Sequence, residues 1–282
     1  MLSVVHCDPV TVRAADGTSL VGCIWQPAAA GNGLVWLSHG YAEHIGRYAH
    51  VVETLVNAGI AVAAVDHRGH GESEGPRALL SEFGLPVADF RAFVIEVETR
   101  VSPGPRVMLA HSMGAVIALH YAARYQRELA GLVLSGAAVR LHGVDFGSIR
   151  GFLEALSKTM PGFPVRRLDP AILTRDEDAV QRFKDDGKCY HGWVKAATAF
   201  HLLSAGERAL QRASELTLPI LAMHGEADRL ADPSGPRDLV AAAGSIDKTL
   251  RTWPDFRHEI FNELGKEGPI DAARVWIERH IR

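Results

Sequence analysis

Five short apolar runs, each bounded by turn residues, recur along the chain. They cover residues 34–37, 60–65, 106–109, 129–134 and 220–223. Continuous runs of this kind are typical of strands that are buried on both faces of a parallel sheet. Two further β-prone runs, residues 10–13 and 20–25, are separated by Asp16 and Gly17, a pair that favours a hairpin. We expect this hairpin to form an antiparallel edge of the sheet.

Helical patterns separate the apolar runs. They cover residues 48–58, 86–101 and 112–125. Gly59 stands directly after the first pattern, where the end of a helix favours glycine. The alternation of strands and helices predicts an α/β fold with a mostly parallel, doubly wound sheet.

The alternation stops after residue 137. From residue 139 to residue 216 we expect helices and no strand. Apolar residues recur at helical spacing over residues 146–160, and a longer helix is expected over residues 193–213. Between them, Thr174 and Glu177 have the spacing of a capping box, which opens a helix to about residue 187.

The strand pattern resumes at residue 219, so the helices interrupt the sheet. We therefore expect a core at residues 1–137 and 217–282, with a helical cap at residues 138–216 inserted between two core strands. A cap in this position covers the carboxyl ends of the strands, where α/β folds bind their ligands. The apolar stripe of residues 146–160 either packs the cap onto the core or lines an acyl-chain tunnel and touches a membrane or micelle.

Composition and charge narrow the class of protein. The chain has 282 residues, 47% of them hydrophobic, with a formal net charge of −3 at pH 7. It can therefore bury a large core, and its charge argues against a nucleic-acid partner. Cys7, Cys23 and Cys189 lack metal-ligand spacing and cannot all pair, which favours reduced thiols in a cytoplasmic protein. Residues 1–10 lack a secretory-signal pattern, so we expect no signal peptide.

A serine stands in a sharp turn after the third apolar run. The turn reads Ala110-His111-Ser112-Met113-Gly114 and leads into a helical pattern. A strand, a serine turn and a helix form the nucleophile elbow of α/β hydrolases, where small residues flank the serine because the two backbones pass closely. Ala110 stands where the usual motif has its first glycine, so the motif alone fits an ordinary small-residue turn equally well.

A serine nucleophile needs a histidine base, and the histidine needs an acid to orient it. In α/β hydrolases the order along the chain is serine, acid, histidine. Asp228 follows the strand of residues 220–223, and His258 lies in the loop after the strand-like residues 249–253. Position at the strand end favours Asp228 over the nearby acids, which are Glu226, Asp232 and Asp255.

The reaction also needs backbone N–H groups that stabilise the oxyanion. Met113 supplies one, since it follows the nucleophile at a helix N-terminus. The loop after residues 34–37 reads Ser38-His39-Gly40-Tyr41, and we assign the second donor to Tyr41. This chemistry requires neither a metal nor an organic cofactor.

Six segments together resemble the monoacylglycerol lipases. They are residues 39–48, 66–75, 111–114, 168–176, 225–228 and 258–263. The resemblance extends from about Asp8 to the C-terminus, and it implies a serine hydrolase that releases the single fatty acid of a monoacylglycerol. It implies the same triad of Ser112, Asp228 and His258, and a small lipid substrate. Transient membrane or micelle contact of the cap is expected from its apolar stripe.

The resemblance also suggests roles for Glu43 and Arg47. In the family the matching charged residues shape the glycerol side of the pocket; the alternative is an ion pair that fixes the oxyanion loop. Tyr41 stands where several relatives have a smaller residue. A ring at this position can narrow or reshape the alcohol pocket, so the sequence leaves the head group of the substrate open. The alternatives to a monoacylglycerol lipase are a lysophospholipase, a general carboxylesterase, and a non-catalytic ligand-binding protein of the same fold.

Overall fold

The computed structural model describes residues 5–28, 31 and 33–281. Residues 1–4, 29, 30, 32 and 282 fall within the predicted core segments, and residues 1–4 also within the expectation about a signal peptide. They lie outside the described residues.

Strands and helices alternate through most of the described chain. The strands are β1 (Asp8–Arg13), β2 (Ser19–Trp25), β3 (Leu34–Ser38), β4 (Ala61–Val65), β5 (Arg106–His111), β6 (Gly131–Ser135), β7 (Pro164–Arg167), β8 (Trp193–Lys195), β9 (Ile220–Gly225) and β10 (Lys248–Trp253). The helices are α1 (Ala49–Asn57), α2 (Gly84–Glu98), α3 (Met113–Tyr125), α4 (Phe146–Thr159), α5 (Glu177–Asp185), α6 (Ala196–Gln211), α7 (Ser234–Ala242) and α8 (Glu267–His280). Short 3-10 helices lie at Ile45–Tyr48, Gln126–Glu128, Pro170–Ile172 and Ala213–Glu215.

The main sheet confirms the predicted α/β fold. Its strand order is β1-β2-β4-β3-β5-β6-β9-β10, and the strands from β4 to β10 pair in parallel. The hairpin of β1 and β2 forms the expected antiparallel edge. The five central strands from β3 to β6 and β9 are buried along their whole length, which explains their continuous apolar sequences.

Hydrophobic residues pack on both faces of the sheet. On one face, α2 and α3 contribute residues such as Phe93 and Ile117. On the other, α1 and α8 contribute residues such as Leu55 and Trp276. Because the strands are parallel, their carboxyl ends meet at one edge of the sheet. The loops after β3, β5, β9 and β10 therefore come together there, and these loops carry the predicted site residues.

The segment between β6 and β9 differs in part from the prediction. It contains a small antiparallel pair, β7 and β8, where no strand was expected. These strands have only four and three residues, too few for a periodic signal. As a result, the last helix of the segment, α6, begins at Ala196 instead of residue 193. Among the described helices, none has the length and apolar character needed to cross a bilayer.

The cap of helix α5 also differs from the prediction. Asp176, not Thr174, is the N-cap residue, and its side chain accepts hydrogen bonds from the backbone N–H groups of Asp178 and Ala179. The Thr174 hydroxyl instead donates to the backbone oxygen of Asn262 and accepts from the N–H of Asp176. The capping-box spacing was therefore misleading, because a tertiary contact uses the threonine.

The cysteines differ from the expected reduced thiols. A disulfide joins Cys7 and Cys23, whose Cα atoms are 5.7 Å apart across the β1–β2 hairpin. The hairpin brings the two residues together, which their spacing of 16 residues in the sequence does not indicate. Cys189 is free and buried.

Candidate active site

The turn between β5 and α3 holds Ser112 in a strained conformation. Its φ of 54° and ψ of −116° are rare for a residue with a side chain. A Cβ atom at Gly114 would lie 2.2 Å from the Ser38 carbonyl oxygen, so only glycine fits there. Ala110 is buried between β3 and β6, and its methyl group is part of the core. The elbow therefore accommodates alanine at its first small position.

Ser112, His258 and Asp228 form a continuous hydrogen-bonded chain. The Nε2 atom of His258 is 2.8 Å from Ser112 Oγ, and its Nδ1 atom is 2.7 Å from Asp228 Oδ2. All three residues are buried. This geometry allows the imidazole to remove the serine proton while the carboxylate fixes its tautomer.

The surroundings of Asp228 distinguish it from its rivals. Its Oδ1 atom accepts from the N–H groups of Leu230 and Ala231 at 2.7 and 2.9 Å. Its Oδ2 atom also lies 3.1 Å from Nε2 of His224, on β9. The nearby Glu226 and Asp232 have other partners, namely the hydroxyl of Thr252 and the N–H of Ser234.

Burial and charge act in opposite directions on the acid and the base. Burial disfavours the ionised carboxylate of Asp228, but the His258 charge and the bonds from His224 and His258 outweigh it, so its pKa lies well below the ordinary value. Burial likewise disfavours the imidazolium of His258, but the negative charges of Asp228 and Glu259 outweigh it, and the pKa of His258 is raised. In the resting site Asp228 is therefore ionised, and His258 is a stronger base than a free imidazole.

The oxyanion loop, residues 39–44 after β3, lies against the serine. A Cβ atom added to Gly40 would be 3.2 Å from the Cβ of Ser112. Within the described residues, neither the N–H of Tyr41 nor that of Met113 donates to a protein acceptor. Gly40 therefore lies against the nucleophile, Tyr41 and Ser112 line the same cavity, and the N–H groups of both predicted donors are unpaired in the described part of the chain. An oxyanion requires donors that are available in this way.

His39 fixes the peptide that carries the Tyr41 donor. Its Nε2 atom accepts from the N–H of His67 at 2.9 Å, so its Nδ1 atom bears the proton and donates to the Gly40 oxygen at 2.8 Å. Burial, together with the neighbouring histidines, holds the pKa of His39 well below its usual value, so the ring stays neutral. Because C=O and N–H point in opposite directions across a trans peptide, the bond to Gly40 directs the Tyr41 N–H away from His39.

Glu43 and Arg47 form a buried ion pair. Arg47 Nη1 donates to Glu43 Oε2 at 2.8 Å, and Glu43 Oε1 accepts from the N–H of Gly40 at 2.5 Å. Arg47 also donates to both carboxylate oxygens of Glu259, at 2.6 and 2.7 Å. Burial raises the pKa of Glu43, and Glu259 adds to the shift, although Arg47 opposes it.

A cavity of about 230 Å³ extends from the serine under the inserted segment. Its polar end is lined by Ser112, His258, Tyr41, Glu43, His111 and Glu259. Its other end is apolar and includes Leu141, Val144, Ile149, Leu153, Leu202 and Leu203. The arrangement suits a ligand with one polar reacting group and a hydrocarbon chain.

One group of potential metal ligands lies beside the oxyanion loop. In the described part of the chain, His44, Asp186 and Cys189 have ligand atoms within 4.8 Å of one another. His44 Nδ1 accepts from the N–H of Gly46, so its Nε2 atom carries the proton and donates to Asp186 at 2.7 Å. Both ring nitrogens of His44 are thus already used. Nδ1 is bound within its own turn, and Nε2 makes the bond that joins the loop to the inserted segment.

Sequence reasoning missed three residues that support the site. His39 binds the peptide that carries the Tyr41 N–H, and His224 contacts Asp228. Glu259 binds Arg47. His39 stands two residues before Tyr41, and Glu259 directly follows His258. This proximity in the sequence was their one available signal. Their partners are distant in the sequence, so the contacts themselves carry no local pattern.

The chain is similar to known proteins over most of its length. The family model described as serine aminopeptidase, S33, matches residues 29–265. A monoacylglycerol lipase of Mycolicibacterium smegmatis is 40% identical over 94% of this chain and 95% of its own length. A monoglyceride lipase of Homo sapiens is 32% identical over 94% of this chain and 88% of its own length.

Solved structures extend the similarity to the whole fold. The monoacylglycerol lipase of Paleococcus ferrophilus has a TM-score of 0.82 and 26% identity, covering 98% of this chain and 99% of its own. A soluble variant of monoglyceride lipase from Saccharomyces cerevisiae, in complex with a substrate analogue, has a TM-score of 0.87 at 22% identity and covers 99% and 97% of the two chains. The second likeness concerns the fold alone.

The raised pKa of His258 predicts a pH dependence for ester hydrolysis. As the pH falls, His258 gains a proton and cannot act as a base, so kcat/KM should decrease along an acidic limb. The midpoint of this limb should lie above the ordinary imidazole value of 6.5.

Asp228→Asn should move the midpoint to lower pH and reduce kcat about 10⁴-fold. A profile of kcat/KM from pH 5 to 9 measures both, and a flat acidic limb would contradict the assignment.

Proposed function

This chain belongs to the monoacylglycerol lipase family of the α/β-hydrolase superfamily, and we propose that it hydrolyses monoacylglycerols to a free fatty acid and glycerol. The observation that carries the proposal is a buried Ser112–His258–Asp228 chain at the polar end of a mostly apolar cavity. The cavity offers hydrocarbon contacts for one acyl chain directly beside the nucleophile.

The proposed reaction proceeds through an acyl-enzyme. Ser112 attacks the ester carbonyl while His258 accepts its proton, and the N–H groups of Tyr41 and Met113 stabilise the oxyanion. His258 then donates the proton to the leaving glycerol oxygen, and Asp228 stabilises the imidazolium that exists in between. Water, activated by His258, hydrolyses the acyl-enzyme and releases the fatty acid.

Residues 138–216 act as a cap over this reaction in our proposal. Side chains on α4 and α6, such as Leu153 and Leu203, line the apolar end of the cavity and support a role in holding the acyl chain. Glu43 lines the opposite, polar end, and Arg47 is its ion-pair partner. Since the Arg47 guanidinium is bound by two carboxylates, we propose that the pair shapes the alcohol side mainly by fixing the oxyanion loop.

We propose that the cap touches lipid surfaces transiently. Phe152, Met160, Phe163 and Trp193 are large apolar residues exposed on the inserted segment, with Phe152 74% exposed. Exposed side chains of this kind are suited to the boundary of a membrane or micelle. We also propose a cytoplasmic location with peripheral membrane contact. The Cys7–Cys23 disulfide argues against the reduced thiols on which this location was based, so the proposal requires that the bond is reduced in cells.

The substrate proposal is tested by measuring fatty-acid release from a panel of lipids. The panel contains a monoacylglycerol, a diacylglycerol, a triacylglycerol, lysophosphatidylcholine and a short p-nitrophenyl ester, with an aminoacyl p-nitroanilide for peptidase activity. We expect the monoacylglycerol to have the highest kcat/KM among the lipids, because the cavity accepts one chain. Ser112→Ala should lose at least about 10³-fold of the activity while it remains folded.

Other outcomes of the panel would identify an alternative. Preference for lysophosphatidylcholine would favour a lysophospholipase, and hydrolysis of the short ester alone would favour a general carboxylesterase. Binding of monoacylglycerol without any turnover would favour a non-catalytic ligand-binding protein.

Two adjacent residues of α4 separate the two proposed functions of the cap. Leu153→Trp should fill the apolar end of the cavity and lower kcat/KM for long-chain relative to short-chain monoacylglycerols by about tenfold. Phe152→Ala, on the exposed face, should preserve this chain-length ratio and instead weaken sedimentation with phosphatidylcholine vesicles. Equal effects of the two variants in both assays would contradict the assignment.

The proposed location is tested by the state of the cysteines. A reducing cytoplasm disfavours a disulfide, so Cys7 and Cys23 should react with an alkylating reagent in rapidly quenched cells, whereas the isolated oxidised protein should not. Mass spectrometry of the labelled peptides measures this difference. Protection of both cysteines in cells would instead place the protein in an oxidising compartment.

A further inference from the structure

Glu259 directly follows His258 and lies within the active site. Its carboxylate is buried and accepts two hydrogen bonds from the guanidinium of Arg47, at 2.6 and 2.7 Å. Its backbone N–H donates to the oxygen of Leu173, in the inserted segment, at 2.8 Å. One residue therefore connects the His258 loop, the oxyanion loop and the inserted segment.

The bonds of Glu259 continue to the oxyanion loop through Arg47. The same Nη1 atom of Arg47 that binds Glu259 also binds Glu43, at 2.8 Å. Glu43 in turn accepts from the N–H of Gly40 at 2.5 Å and from the hydroxyl of Tyr48 at 2.7 Å. Because Gly40 precedes the Tyr41 donor, these bonds fix the peptide plane next to the oxyanion donor.

Charge makes Arg47 dependent on Glu259. The Arg47 side chain is 10% exposed, and a buried cation without sufficient negative partners is costly. Burial opposes ionisation of Glu259, but Arg47 outweighs it and lowers the pKa of this carboxyl. Glu259 accepts two hydrogen bonds from the guanidinium and Glu43 only one, so Glu259 is the stronger partner of the two. Without the negative charge of Glu259, Arg47 would have to move or to bind Glu43 more closely.

We propose that Glu259 is a positioning residue, which acts through Arg47 and Glu43 to keep the oxyanion loop in its catalytic conformation. Its negative charge also supports the imidazolium that forms at His258 during the reaction. The role rests on the proposed ester hydrolysis at Ser112. It concerns the transition state, so it should affect kcat more than KM.

The test compares Glu259→Gln with a matched control, Glu263→Gln. Glu263 is also buried in this loop, but its partners are Arg175 and the N–H groups of Arg175, Arg257 and Leu264, and it does not contact Arg47. Glu259→Gln should lower kcat about ten- to a hundredfold, less than the loss of an oxyanion donor, and leave KM within about twofold. The acidic limb of kcat/KM should move to lower pH, because a negative charge near His258 is removed.

The control should keep kcat within about twofold and leave the acidic limb in place. Active-site titration with a fluorophosphonate and thermal unfolding establish the folded fraction of each variant. If Glu259→Gln does not fold, Glu259→Asp provides the test, since it retains the charge but shortens the reach to Arg47. This variant should lower kcat and keep the wild-type acidic limb.

A double variant tests whether Glu259 acts through Arg47. The kcat of Arg47→Gln combined with Glu259→Gln should be close to that of Arg47→Gln alone. Multiplied losses, or an unchanged kcat and acidic limb in Glu259→Gln, would overturn the proposal. All variants are measured on the p-nitrophenyl ester as well as on monoacylglycerol. A wild type that hydrolyses only the ester would contradict the proposed substrate while the comparison for Glu259 still holds.

Discussion

The close packing of strand β5, helix α3 and the end of β3 is the constraint on which the site depends. Gly114 lies where any side chain would overlap the carbonyl oxygens of Ser38 and His39. This approach permits the sharp turn at Ser112, whose strained backbone costs roughly 1–3 kcal/mol. The buried residues of α3 and β5 offset that cost. The same packing brings the Met113 N–H, at the start of α3, next to the oxyanion loop.

Around this turn, the polar groups of the site are buried and paired with one another. Asp228 accepts two backbone N–H bonds and faces two histidines, while Arg47 binds two carboxylates. Buried groups of this kind are stable only when their partners are in place, so each pair also fixes the loop that carries it. The neutral His39 serves the same purpose for the oxyanion peptide. Preorganised loops reduce the rearrangement needed when negative charge develops on a bound ester.

The sequence was sufficient for the fold and for the residues of the Ser112–His258–Asp228 chain, because both have strong local signals. Parallel strands buried on two faces appear as continuous apolar runs, and the serine and the acid each follow such a strand. The histidine follows the edge strand β10, whose residues alternate between exposed and partly buried. The short strands β7 and β8 lacked a local signal, because they have too few residues for a periodic pattern. At the start of α5 two N-cap candidates were present, and the bond of Thr174 to the distant Asn262 leaves Asp176 as the N-cap. The same holds for Glu259: a glutamate beside His258 is visible in the sequence, whereas its contact with Arg47, 212 residues away, is not.

The central claim is that Ser112 is an activated nucleophile at the mouth of a cavity that accepts an acyl chain. The most direct measurement is peptide mass spectrometry after reaction with an alkyl fluorophosphonate, which forms a stable adduct with an activated serine. We expect one phosphonyl group per chain, located on Ser112, and faster labelling by a long-chain than by a methyl reagent. An unmodified Ser112, or an adduct on another residue, would contradict the account.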